Sequence, residues 1–174
     1  MKKIGLAAFF LAAVVVFSNF YLQNQTQGVN GTEGIKVPAL MYHHFLETGG
    51  LLGDYAITPA QFEQDLQYIQ AQGFQTITVG DLIDFVQKGT PLPEKPIMIT
   101  VDDGYEGVYA YAYPLLKKYH MKATFSIIGR FSDFYSTEQY KHINYSHCTW
   151  QQIQEMHESG VMEFQNHSYN FHSY

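Results

Sequence analysis

Residues 96–101 read PIMITV, a continuous apolar run that lacks the polar–apolar alternation of a half-exposed strand. A strand apolar on both faces must be covered on both. That requirement is met most simply by a parallel sheet with helices packed outside it. The neighbouring segments supply such helices in turn. VPALMY (37–42), FQTITV (74–79), KATFSII (122–128) and VMEFQ (161–165) read as four more strands. Between them, residues 58–73, 81–89, 107–119 and 149–160 carry helical signals. In the first of these, Thr58 is a cap, Pro59 takes the first helical position, and Gln61 completes a capping box. Thr149 and Gln152 repeat the box, with Gly160 as the stop. Pro114 marks a kink or a restart, and residues 129–148 read as irregular and aromatic. The predicted class is α/β with about five parallel strands, for which a barrel and an open sheet both fit.

The chain of 174 residues is long enough for one domain with a core, and 46% apolar content excludes a disordered polymer. Lys2 and Lys3 precede a charge-free run through Phe17, so residues 1–22 are expected to be a signal peptide or an uncleaved membrane anchor. Residues 23–36, polar and rich in Gly and Asn, are expected to be a flexible linker, and residues 37–174 the domain. The protein is thus expected to be exported, extracellular or at the cell surface. Membrane contact would come through the N-terminal segment where it stays uncleaved. Beyond Leu22 there are 8 basic against 16 acidic residues, a net of −8, which disfavours nucleic acid as a partner. The single Cys148 excludes an intrachain disulfide and reads as a packed thiol.

In parallel α/β sheets, functional groups gather where the strands end. Here the first strand is followed by His43 and His44, the third by Asp102 and Asp103, and the fifth by NHSYNFH with His167 and His172. Adjacent residues of a strand point to opposite sides, so Asp102 and Asp103 can serve one site only if the strand has broken. Gly104 permits that break. Two close carboxylates ionise together readily only beside a cation. A divalent metal would meet that need, with one Asp as ligand and the other as base. A set of two imidazoles and one carboxylate leaves positions open for water and substrate. His120, His142 and His147 are expected to be solvated in connections, and His157 to lie on a helix surface. Glu163 is expected to be structural and Trp150 to be a packing staple at a helix start.

These residues resemble a known group. TVDDGY is similar to the first signature of the polysaccharide deacetylases, carbohydrate esterase family four, with Val101 where Phe is usual. NHSYNFH resembles the family's histidine signature. MYHHF and PLLKKYHMKATFSIIG resemble the branch that de-N-acetylates poly-N-acetylglucosamine in biofilms. The resemblance covers roughly residues 37–174. It implies an incomplete (β/α) barrel-like deacetylase fold and a metal-dependent removal of acetyl groups from an N-acetylated hexosamine polysaccharide. It also implies one divalent ion, zinc first, with cobalt, nickel, iron and manganese as alternatives. By motif position Asp103, His167 and His172 would hold the metal, Asp102 would be the general base, and His43, in preference to His44, the catalytic acid. The family continues beyond the second histidine with further strands, so a C-terminally truncated chain is expected. The competing readings are an inactive glycan-binding remnant and a different single-metal hydrolase.

Overall fold

A computed structural model of the chain describes residues 34–48 and 51–171. The segment read as an export signal, most of the linker, and His172 lie outside the described residues. All elements below belong to the compact unit Val37–Tyr174.

Five strands form one parallel sheet: β1 (Ala39–Tyr42), β4 (Gln75–Ile77), β5 (Pro96–Val101), β6 (Ala123–Ile127) and β7 (Met162–Asn166). β5 is central. β4 lies beside its N-terminal half, in register Gln75↔Pro96, while β1 and β6 flank its C-terminal half. β7 extends the sheet beyond β6, from Ala123↔Met162 to Ile127↔Asn166. Five of the six residues of β5 are buried, as its unbroken apolar run requires. Two strands of two residues each, β2 (His44–Phe45) and β3 (Ala56–Ile57), pair separately.

The capped helices form where their signals stand. In α1 (Pro59–Ala71) the Gln61 amide donates to the Thr58 hydroxyl, and the Gln61 side chain accepts from the Thr58 amide. Phe62, Leu66 and Ile69 recur at helical spacing and bury completely against the sheet. Removing the Phe62 ring would cost about 3–5 kcal/mol in transfer and cavity terms. α2 (Val79–Lys88) uses Thr78 and Asp81 in the same way and stops at Gly89, which is left-handed at φ 71°. α5 (Trp150–Glu158) uses Thr149 and Gln152.

Pro114 is resolved as a restart. α3 begins with a wide π turn, Val108–Ala112, closed by the Tyr113 amide on the Val108 carbonyl, and continues as an α-helix over Tyr113–Tyr119. A proline has no N–H to give to the preceding turn. The wide turn carries the chain past this lost bond. The segment read as irregular contains a helix, α4 (Gly129–Thr137). Its start has no side-chain cap, so it lacks the local signal that marks α1 and α5 in the sequence.

Candidate active site at the strand ends

Asp102 and Asp103 leave β5 at its C-terminal end. The Asp102 amide still donates to the Tyr42 carbonyl at 2.9 Å, so Asp102 closes the sheet ladder. The register Tyr42↔Val101 places His43 and Asp102 one step beyond the same rung. Asp103 then turns left-handed at φ 73°, and Gly104 follows at φ 94°. The break expected at Gly104 therefore starts at Asp103 itself. Asp tolerates this conformation better than most residues, but the position remains strained.

The turn aims Asp103 across the sheet. Its Oδ1 lies 3.4 Å from Nε2 of His167, with the two side chains 21% and 33% exposed. His167 follows β7, and its amide donates to the Ile127 carbonyl at 2.9 Å, which holds it to the end of β6. Ser168 is left-handed at φ 76°, and its hydroxyl accepts from the Phe171 amide. A turn thus begins after His167, as the spacing to His172 demands. Two of the three residues assigned to a metal meet here. Among the described residues no group of three such side chains gathers, and the third candidate, His172, lies outside them. One carboxylate oxygen and one imidazole nitrogen meeting at a partly exposed point are donors of the kind a divalent cation takes.

The two histidines after β1 have separate fates. His43 falls between β1 and β2, half-buried, with its ring edge-on to Tyr55 at 5.2 Å. His44 is 5% exposed and stacks on Tyr105 at 4.2 Å. Among the described residues, neither nitrogen of His44 has a partner with hydrogen-bond geometry. Burial lowers its pKa, only partly opposed by backbone groups of Asn144 and Ile143. Of the two, His43 has the freer access to the strand ends.

His147 corrects the sequence reading, which had it solvated. It is 6% exposed and stacks on the other face of the Tyr105 region, 4.5 Å from that ring, with Tyr135 and Phe131 enclosing it. Its Nδ1 faces the Tyr145 carbonyl at 3.2 Å. Burial pushes its pKa down to about 4, with a smaller lowering from nearby His44. Tyr105 pairs with His147 through a β-bridge, and the Cys148 amide donates to the Gly104 carbonyl at 2.8 Å. These contacts brace the Asp-Asp-Gly turn from behind. Sequence reasoning missed this bracing role because no local pattern marks it.

Other expectations hold or shift. Cys148 is fully buried, its thiol pushed well up by desolvation. Glu163 is structural: both its oxygens accept from the Gly80 amide, at 2.9 and 3.1 Å, at the start of α2. His120, His142 and His157 are exposed. Trp150 does not pack into the core. It is 43% exposed and donates from Nε1 to Asp133.

The strand ends that deliver the Asp pair and the histidine lie within residues 89–174, which match the model of a polysaccharide deacetylase domain. The chain carries such a domain. It is 35% identical to YxkH of Bacillus subtilis over 126 residues, 72% of this chain and 40% of that protein. It is 28% identical to the poly-β-1,6-N-acetyl-D-glucosamine N-deacetylase of Staphylococcus epidermidis over 120 residues, 69% of this chain and 39% of that protein. Among solved structures it resembles IcaB from Ammonifex degensii, with a TM-score of 0.66 and 31% identity over 81% of this chain and 56% of that one. A de-N-acetylase from Aggregatibacter actinomycetemcomitans matches with a TM-score of 0.68 and 25% identity, over 79% of this chain and 56% of that one. The chain therefore spans about two fifths of these two sequence relatives and about half of these structures. Among the described residues no helix is long and apolar enough to cross a membrane.

Proposed function

We propose that this domain serves the hydrolytic removal of N-acetyl groups from an N-acetylglucosamine-containing polysaccharide outside the cell. Export rests on the Lys2, Lys3 and apolar run of the N-terminus, and the substrate class on the named activity of the relatives. The observation that carries the reading is the approach of Asp103 to His167 at the strand ends, next to Asp102 and level with His43.

Asp103 and His167, with His172 as third donor, would hold one divalent cation. When bound, that cation supplies Lewis-acid polarisation of the amide carbonyl and lowers the pKa of water. Asp102, fixed by its amide on the Tyr42 carbonyl, takes a proton from the attacking water. His43, on the neighbouring strand end, gives a proton to the departing amine, which an amide needs because an unprotonated amine leaves poorly. The Asp103 turn keeps the two carboxylates in separate roles, one toward His167 and one at the head of the ladder.

The test is amine release from β-1,6-linked N-acetylglucosamine oligomers by the metal-loaded chain. Asp102→Asn is expected to retain the metal and lose about 100-fold or more in turnover, since an amide cannot take the proton. Wild-type turnover in that variant would remove Asp102 from the mechanism. No amine release from the metal-loaded wild type would remove the reading itself.

A further inference from the structure

The rim of the sheet carries a second feature that the reaction does not use. A groove of about 440 Å³ opens between the first turn of α3, the start of α5 and the α4–α5 connection. Its walls include Tyr109, Lys141, Trp150, Gln151, Gln152 and Glu155. That volume holds roughly one or two sugar rings and falls in the range of small-ligand sites.

Trp150 is the one tryptophan of the chain, and it is 43% exposed. A hydrogen bond orients its ring. Nε1–H donates to Asp133 Oδ1 at 2.8 Å, and the Trp150 amide donates to Ser136 Oγ at 3.0 Å. The other oxygen of Asp133 accepts from the Tyr169 hydroxyl at 3.1 Å. Tyr169 is 62% exposed and lies two residues after His167. One carboxylate therefore clamps two exposed aromatic rings, one on the groove wall and one on the segment that carries the candidate metal ligand. The groove is tied to the Asp-Asp-Gly turn as well. The Glu106 amide donates to the Ser146 carbonyl at 2.8 Å, and Gln152 Nε2 donates to Glu106 Oε1 at 3.1 Å. On the far wall the Tyr109 hydroxyl donates to Glu155 at 2.7 Å. Tyr109 sits in the π-wound turn of α3, a geometry concentrated at functional sites.

The lining selects the ligand. Oriented aromatic faces suit the C–H face of a pyranose, and amide, hydroxyl and carboxylate groups suit its hydroxyls. Glu155 on the wall, with Asp133 and Glu106 hydrogen-bonded just behind Trp150 and Gln152, opposes a phosphate polymer. The geometry points to a secondary glycan subsite: a hexosamine polymer engaged at the Asp103–His167 corner runs over Tyr169 and Trp150 into the groove. The assignment rests on the proposed deacetylase reading and extends it from one sugar to a stretch of chain.

Trp150 reports on its own site. The full chain without added metal is titrated with β-1,6-linked N-acetylglucosamine oligomers of increasing length while tryptophan emission is followed. The hexamer is expected to give a saturable change at concentrations where the dimer gives little. Lys141→Ala and Gln151→Ala keep the tryptophan and are expected to weaken the hexamer about three- to ten-fold. Trp150→Ala is expected to raise the hexamer KM about ten-fold, with Trp150→Phe restoring most of it. Emission indifferent to the hexamer, in a preparation that releases amine when loaded with metal, overturns the subsite and leaves the reaction standing. Saturable emission without amine release does the opposite. Equal responses to dimer and hexamer overturn the subsite too, since a track must reward length.

Discussion

Lowering the pH should destabilise this domain through His147. In the folded chain the imidazole is enclosed by Tyr105, Tyr135 and Phe131, with His44 as a nearby titratable group, and burial pushes its pKa down to about 4. In the unfolded chain it titrates near its ordinary value of 6.5. Between those values the unfolded state binds the extra proton, so stability is full above about pH 6.5 and falls as the pH drops toward 4. A shift of this size corresponds to about 3 kcal/mol at the limit, of which about 2 kcal/mol is lost between pH 7 and pH 5. For a domain of this length that is roughly 5–10 °C in Tm. His147→Phe keeps a flat ring in the stack and removes the titration. Its own baseline will drop by about 1 kcal/mol for the contact with the Tyr145 carbonyl. The measurement is urea unfolding of both proteins at pH 7 and pH 5. The wild type should lose about 2 kcal/mol more than the variant over that interval. Parallel losses in the two proteins would show that His147 is not buried neutral, and would refute the stacking argument. His44, whose pKa is also lowered by burial, adds a slope of the same sign to both proteins, and only its small coupling to His147 differs between them.

Three further outcomes follow from the strand ends. Asp103→Ala or His167→Ala should each cost a bound divalent ion at least ten-fold in affinity, read by elemental analysis and titration; unchanged loading in both would sink the metal assignment. His43→Phe should lose turnover and keep the metal. His44→Phe, which replaces one buried stacked ring by another, should keep much of both, and the reverse pattern moves the acid to His44. At Gly107 a Cβ would collide with the Phe45 carbonyl oxygen and approach His44 Nδ1 to 2.9 Å. Gly107→Ala should therefore cost about 1–3 kcal/mol by overpacking, and a thermal melt unchanged from wild type would show that β2 and α3 are free to part.

Much of this protein was legible before any coordinates. The unbroken PIMITV run demanded a covered parallel strand, and the Thr58 and Thr149 boxes marked helix starts, because each signal is complete within a few residues of chain. The same holds for the Asp pair at a strand end. What lay beyond the sequence depends on neighbours distant along the chain. The order β5–β6–β7 brings Asp103 and His167 together across 63 intervening residues, and only the left-handed turn at Asp103 aims one at the other. α4 has no cap of its own and hid in an aromatic segment. His147 looked like a loop histidine until Tyr105, Tyr135 and Phe131 closed around it, and Trp150 looked like a staple until Asp133 held it at the rim. Periodicity and capping are properties of a local stretch, written in its residues. Burial, pKa and the meeting of side chains are set by whatever the tertiary fold packs alongside, and for His147 and Trp150 that packing reversed what the local sequence implied.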